Sequence, residues 1–335
     1  MSTPSTPAST PAAAGDVVPP AAAPLTIGFD IGGTNLRGGV VDAEGRIIAA
    51  ERRPTPATGE ELNDAIVDVV ESLRASYPVA AVGLAVAGFL NATCDTVRFA
   101  PHLPWRQAPV KDILQARLGM PVVLEHDANA AAWGEYTYGA ARGQRQWSLF
   151  AVGTGIGGAI VIDGTILRGA FGTAGEFGHI TAVPSGRPCS CGKSGCLERY
   201  CSGTALATTA AQLLAEGTAP STLRALPREQ VTGAAVMAAC REGDEVAVRA
   251  VDDFAHWMGR GFALVADILD PGMIVLGGGV VGDADLFLPT ATRVMGETMV
   301  GAAYRPKPEI AVAQLGSRAG LVGVADLAHR ALAQP

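Results

Sequence analysis

The chain has 335 residues, 48% hydrophobic, 17% charged and 5% aromatic. That is enough small aliphatic side chain for a large core, and it excludes a wholly disordered or fibrous protein. Length predicts two lobes on a soft prior of about 150 residues per domain. Lys and Arg total 25 against 32 Asp and Glu, a net charge of -7, so no broad cationic surface is expected for nucleic acid or an anionic membrane.

Residues 1–24 hold six prolines among Ser, Thr and Ala, a composition that buries too little surface to offset ordering entropy, and are read as a disordered tail. The tail has no basic residue and no continuous apolar run of the kind an export signal needs, so a cytoplasmic location is expected. The longest apolar-plus-glycine run, Val79 to Leu90, has twelve residues, short of the roughly 20 that span a bilayer. Neither a nucleic-acid nor a membrane partner is expected.

Leu25–Asp30, Asn35–Asp42 and Arg46–Arg52 read as strands, with a glycine loop at Ile31–Thr34 and a turn at Asp42–Gly45. Glu60–Tyr77 has the apolar spacing of an amphipathic helix, Val79–Val86 is a buried strand, and Val110–Leu118 is a shorter helix. Pro121–Leu124 is a strand running into Glu125-His126-Asp127-Ala128-Asn129, which opens a helix. The first pattern recurs about 120 residues later. Trp147–Val152, the run Gly153 to Gly158, Ala159–Ile162, an Asp163-Gly164 hairpin signal and Thr165–Leu167 repeat strand, glycine loop, strand, turn, strand. Val246–Leu269 is a long helix, Met273–Leu276 a strand ending in Gly277-Gly278-Gly279, and Ala319–Leu332 a final helix. Strands alternating with helices predict an α/β fold of two similar lobes around a shared cleft.

The loop Asp30-Ile31-Gly32-Gly33-Thr34-Asn35 follows a strand directly, so its backbone N–H groups can approach phosphate oxygens while Thr34 adds a hydroxyl. Asp30 is a candidate to hold Mg²⁺ through water. The loop matches neither common phosphate-loop spacing, and read alone it serves equally as a tight hairpin. The partner runs at Gly153, Thr154, Gly155 and Gly157 and at Gly277, Gly278 and Gly279, each at a strand end, favour phosphate binding. Asp127, between a buried strand and a helix, suits either helix capping or general-base chemistry.

GFDIGGTN at 28–35, EHDAN at 125–129, VGTGIGGAIVIDGTILRGAFGTAGEFGH at 152–179, CSCGKSGCLERYCSG at 189–203 and VLGGGV at 275–280 together resemble the actin-like ATPase and sugar-kinase superfamily, and within it the ROK family. The resemblance covers residues 25 to about 332 and is greatest to actinobacterial ROK glucokinases. It implies a two-lobed actin-like, ribonuclease H-like fold. The smaller lobe would take residues 25–137, completed by 319–332, and the larger lobe 138–318. It further implies transfer of the γ-phosphoryl of ATP to the 6-hydroxyl of glucose, with Asp127 as base. His126, Glu176, His179, Glu198 and the backbone near Gly88 would hold sugar hydroxyls, and a homo-oligomer, dimer or tetramer, is implied. His126 departs from the usual family Asn at that place, which leaves epimer selectivity open.

Six cysteines occur, three of them in Cys189-x-Cys191-x₄-Cys196 ten residues after His179. In a cytosolic chain this clustering favours thiolate ligation over disulfides, and with the resemblance it predicts a structural Zn²⁺ on His179, Cys189, Cys191 and Cys196. Cys201 is a possible substitute ligand. Cys94 and Cys240 read as buried thiols, and Arg52-Arg53 as a solvated strand end. Trp105, Trp133 and Trp257 read as packing residues. His102, His256 and His329 read as surface or satisfied core residues. Three rival readings are a kinase for another hexose or an N-acetylhexosamine, a polyphosphate-using glucokinase, and a non-enzymatic sugar-sensing repressor. The last needs a DNA-binding domain for which the basic-free tail leaves no room.

Overall fold

The computed structural model describes residues 24–333; apart from Pro24, the predicted N-terminal tail lies outside the described residues. The chain begins with β1 (Leu25–Ile31), β2 (Asn35–Val41) and β3 (Ile47–Pro54), then α1 (Gly59–Arg74) and β4 (Val79–Val86). Three short strands follow, β5 (Phe89–Leu90), β6 (Val97–Phe99) and β7 (Arg106–Ala108), then α2 (Val110–Leu118), β8 (Val122–His126) and α3 (Asp127–Tyr138). The second half runs β9 (Gln146–Val152), β10 (Ile156–Ile162), β11 (Thr165–Ile166), α4 (Glu198–Cys201), α5 (Gly203–Glu216), α6 (Gly233–Arg241) and α7 (Glu245–Leu269). It ends with β12 (Met273–Gly277), α8 (Ala284–Thr298), β13 (Glu309–Val312) and α9 (Ala319–Ala331).

The duplication read from the sequence is present as topology. One five-stranded sheet has the order β3-β2-β1-β4-β8 and the other β11-β10-β9-β12-β13. In each, the first three strands form an antiparallel meander and the remaining two run parallel to the first. A parallel strand is covered on both faces, so β1, β4 and β12 are almost wholly buried. On the first sheet, α1 starts at a capping box between Thr58 and Glu61 and buries Leu62, Ile66, Val69, Val70 and Leu73. Helix α9 lies on the opposite face so closely that a Cβ at Gly28 or Gly83 would run into the carbonyls of Leu321 or Val324. On the second sheet, Phe150 packs edge-on to Phe262 of α7, and Phe254 of α7 does so to Phe287 of α8. Each such buried ring removes area worth roughly 1.5–3 kcal/mol.

The chain passes between the two sheets twice, at 139–145 between α3 and β9 and at 313–318 between β13 and α9. Among the described residues, no helix is long and apolar enough to cross a membrane. Two expectations need correction. Strand β10 begins at Ile156, so Gly157 and Gly158 belong to its antiparallel ladder with β9 and not to the preceding loop. Cys94 and Cys240 are half-buried, not buried.

Candidate active site

The candidate residues collect at the carboxyl ends of parallel strands. Asp30 and Ile31 of β1 stand in register with Ala85 and Val86 of β4, and Val86 with His126 of β8. The first glycine loop, Gly88 and the His126-Asp127 pair therefore share one rim, the place where open α/β sheets bind ligands. On the second sheet, Gly277 of β12 pairs with Ala151 of β9, so the second and third glycine runs share the matching rim. Gly278 has φ +89°, and a Cβ there would strike Val152, the residue before Gly153. Only glycine permits that approach. The two sheets meet where Gly157 of β10 faces Ala128, the residue after Asp127.

The first loop is braced from below: Thr55 donates through its backbone N to Thr34 O at 3.0 Å and through Oγ1 to Gly32 O at 2.6 Å. Asp30, Gly32, Gly33, Thr34 and Asn35 line a hollow of about 240 Å³ with Arg37 and Arg52. Asp30, Arg37 and Arg52 stand directly opposite one another across β1, β2 and β3. Burial raises the Asp30 carboxyl above its ordinary range, the charge of Asp127 raises it further, and Arg37 opposes both. Two acids that disfavour each other's charge beside phosphate-shaped backbone fit Mg²⁺, which binds one or two carboxylates together with substrate phosphates. A Cβ at Gly33 would strike His102, so that glycine is also required by packing.

Asp127 is the first residue of α3, with its side chain 45% exposed. Its Oδ1 accepts from Ala128 N at 2.8 Å and lies 3.2 Å from His126 Nε2, and Oδ2 has no hydrogen-bond partner among the described residues. No side-chain bond caps α3 from His126. Glu176 has its carboxyl raised by burial, an effect that His126 and His179 oppose and that Asp127 and Glu198 reinforce. Glu176 Oε2 lies 4.0 Å from His179 Nε2. Glu198 Oε2 accepts from Ile156 N at 3.0 Å, and its other oxygen lies 3.8 Å from Cys189 Sγ. A Cβ at Gly155 would collide with Glu198, so that glycine makes room for the carboxylate.

His179, Cys189, Cys191 and Cys196 offer ligand atoms all within 4.8 Å of one another. Cys191 and Cys196 sulfurs are 3.6 Å apart, and Cys189 Sγ lies 3.7 Å from His179 Nδ1. A tetrahedral zinc with Zn–S near 2.3 Å and Zn–N near 2.0 Å has S–S and S–N edges of about 3.8 and 3.5 Å, so the donor set and its spacing fit Zn²⁺. The other histidine nitrogen, Nε2, is turned to Glu176. Cys201 is fully buried, with its sulfur facing Leu197 O, away from the cluster.

A model of the ROK family matches residues 26–331. The chain belongs to the ROK family. It is 45% identical over 309 residues to a Streptomyces coelicolor protein named glucokinase, covering 91% of this chain and 98% of that one. The structure of a ROK family glucokinase from Streptomyces griseus, in complex with glucose and AMPPNP, superposes with a TM-score of 0.81 at 43% identity, covering 91% of this chain and 99% of that one. A ROK hexokinase from Thermus thermophilus superposes at 0.77 with 33% identity over 93% of this chain and all of that one.

In this ROK protein, Asp30, Gly88, His126, Asp127 and the three glycine runs lie at the two strand-end rims, and His179, Cys189, Cys191 and Cys196 form the thiol cluster, with Glu176 near His179 and Glu198 near Cys189. Sequence reading missed Arg37 and passed over Arg52 as a solvated strand end. Arg53 does pair outward, with Glu51 at 3.3 Å and Asp68 at 3.6 Å. Strand alternation sends Arg52 the opposite way, toward the phosphate-loop hollow, and that period of two was the available signal. Glu125 was missed too. It is 1% exposed and binds Arg168, tying the strand before Asp127 to the loop before Glu176.

Proposed function

We propose that the protein is an ATP-dependent glucokinase that transfers the γ-phosphoryl group to the 6-hydroxyl of D-glucose, giving glucose 6-phosphate and ADP. The observation that carries this reading is the position of Asp127, a half-exposed carboxylate with one free oxygen, between the phosphate-loop acid Asp30 and the sugar-side Glu176. Likeness to the two Streptomyces proteins supports the substrates.

Asp127 Oδ2 accepts the proton of the 6-hydroxyl as that oxygen attacks phosphorus in line, while Oδ1 stays fixed on Ala128 N and His126. The proposed phosphate contacts are Gly32, Gly33, Thr34, Gly153, Thr154, Gly155, Gly157, Gly277, Gly278 and Gly279; the N–H groups of Gly32 and Gly153 already donate to Asn35 O and Gly155 O and Gly157 lies in the β9–β10 ladder, so these three offer close backbone approach and the others donors, with Arg37 and Arg52 answering charge on the donor. Bound Mg²⁺ would supply charge neutralisation for the phosphates, held from the Asp30 side. Glucose is neutral, so its selectivity comes from hydroxyl bonds to Glu176, His179, Glu198, His126 and the backbone at Gly88. A zinc ion held by His179, Cys189, Cys191 and Cys196 would fix the tautomer of His179, whose Nε2 is left to bond a sugar hydroxyl, a positioning role and not a Lewis-acid one. We assign the smaller lobe to 25–137 with 319–332 and the larger to 138–318, closing over nucleotide, in a cytoplasmic homo-oligomer. Exposed Ile268, Val300 and Tyr304 are its candidate contact side chains.

His126 favours one second reading, a related hexose or N-acetylhexosamine, because imidazole in place of the usual amide changes which hydroxyls are matched. An ADP-release assay across glucose, mannose, fructose, N-acetylglucosamine and N-acetylmannosamine, with ATP or polyphosphate as donor, separates the readings. Glucose with ATP is expected to give the highest kcat/KM. Release with no sugar at all would overturn the proposal.

A further inference from the structure

We propose that Glu135 is a positioning residue that holds the pivot between the two lobes, so that Asp127 meets the phosphate donor; this rests on the phosphoryl-transfer reading above. Glu135 is fully buried, at 0% exposure, in the last turns of α3. Carboxylates are rarely so placed unless something compensates their charge. Its hydrogen-bond partners are three backbone N–H groups. Oε2 accepts from Ala140 at 2.8 Å and from Gln314 at 3.1 Å, and Oε1 accepts from Leu315 at 2.7 Å. Ala140 lies in the first chain passage between the sheets, and Gln314 and Leu315 lie in the second. One side chain thus binds both covalent connections between the two halves. The next residue in contact, Gly139, leaves no space for a side chain, since a Cβ there would collide with Glu135 Oε2.

The rest of α3 is built to carry this restraint to its other end. A Cβ at Gly134 would come within 2.5 Å of Ala319 O, and one at Gly323 within 2.6 Å of Gly134 N, so α3 and α9 touch backbone to backbone. Trp133 Nε1 and Tyr138 Oη both donate to Asp326 of α9, at 2.7 and 2.8 Å. The pair forms a stiff axle between the sheets, α9 packed on β1 and β4 of the first and Ala132 and Trp133 of α3 packed with Trp147, Leu149, Ala159 and Val161 of the second. Glu135 sits at one end of α3, where both passages leave the axle, and Asp127 at the other. Any tilt of the second sheet about the passages changes the distance from Asp127 to the Gly153 and Gly277 loops. Misplacement by about 1 Å costs on the order of 10²-fold in rate, so a loose pivot would be expressed in turnover before binding.

The test uses the full chain with Glu135→Gln, which keeps shape but supplies one acceptor oxygen, and Gly139→Ala, which keeps the carboxylate but displaces it. Three quantities are measured: kcat at saturating glucose and ATP, glucose affinity without nucleotide, and amide hydrogen exchange. Both variants are expected to accelerate exchange at Ala140, Gln314 and Leu315 by about 10-fold or more. They should lower kcat by about 10-fold or more and leave glucose affinity within about twofold. Faster exchange at the three amides with an unchanged kcat would overturn the positioning role. So would a uniform rise in exchange through β1 and β12 with loss of glucose binding, which marks a general structural part. Absence of turnover in the unaltered chain would overturn the functional reading instead, and the exchange pattern would still decide whether Glu135 holds the two passages.

Discussion

Arg168 Nε donates to Glu125 Oε2 at 2.9 Å, joining the loop that leads to Glu176 to the carboxylate two residues before Asp127. Arg168 Nη2 donates to the same oxygen, and Glu125 Oε1 accepts at 3.0 Å from both His126 N and Asn129 Nδ2, so the four-donor carboxylate fixes the backbone on which Asp127 stands. The sugar-side loop and the candidate base are thereby one mechanical unit, although they belong to different sheets.

Removing one member of a buried pair strands the other's charge. Arg168→Met is expected to lower unfolding free energy by about 3–5 kcal/mol, whereas the double change with Glu125→Gln costs less than that single change. Denaturant titration of the three proteins checks this, and strict additivity would contradict it.

Asp30 supplies a pH prediction. Its folded pKa is raised, chiefly by burial and then by Asp127. A raised carboxyl contributes stability in full below the unfolded pKa and loses it as pH rises through the folded one, so ionised Asp30 weakens the fold at neutral pH. Asp30→Asn should therefore raise Tm at pH 7, with the gain fading as pH drops toward 3.8, the unshifted value. The same change should cut kcat by about 10²-fold or more. An equal Tm gain at both ends of that range would exclude the burial account.

The thiol cluster is expected to act on sugar and not on nucleotide. Chelation, or Cys191→Ser, should raise the glucose KM by about 10-fold or more with a much smaller change for ATP. Metal content measured alongside kinetics decides it; metal-free protein with unaltered glucose kinetics would count against the assignment.

Arg37 and Arg52 place like charges directly across β2 and β3, an arrangement that is unfavourable until an anion answers it. Arg52→Gln is expected to raise the ATP KM by about 5- to 10-fold and to leave the glucose KM alone. A shift in the glucose constant only would move Arg52 away from the phosphates.

The two strand–glycine–strand repeats were legible because their first strands, β1 and β9, each with a parallel neighbour, are mostly apolar runs that lead into glycine, and Asp163-Gly164 was legible because a tight hairpin needs residues that tolerate the positive φ both adopt. Strand β13 was not: it has only four residues, at most half-buried, too few to separate a strand from any other short apolar stretch. Helix α8 carries Pro289, which reads as a breaker. The three-stranded β5–β7 sheet is made of strands too short to show a period. In the site, glycine runs and the thiol spacing are local and were visible. Glu135 and Glu125 were not, because the former binds amides 179 and 180 residues away and the latter a guanidinium 43 residues away. No local pattern encodes such partners.

The most direct test of the account is Asp127→Asn, with kcat and glucose affinity measured on the same preparation. The account predicts that kcat falls by about 10³-fold or more, since the free carboxylate oxygen that receives the proton is gone, while glucose binding changes only a few-fold. A variant that keeps kcat within tenfold of the unaltered protein would contradict it.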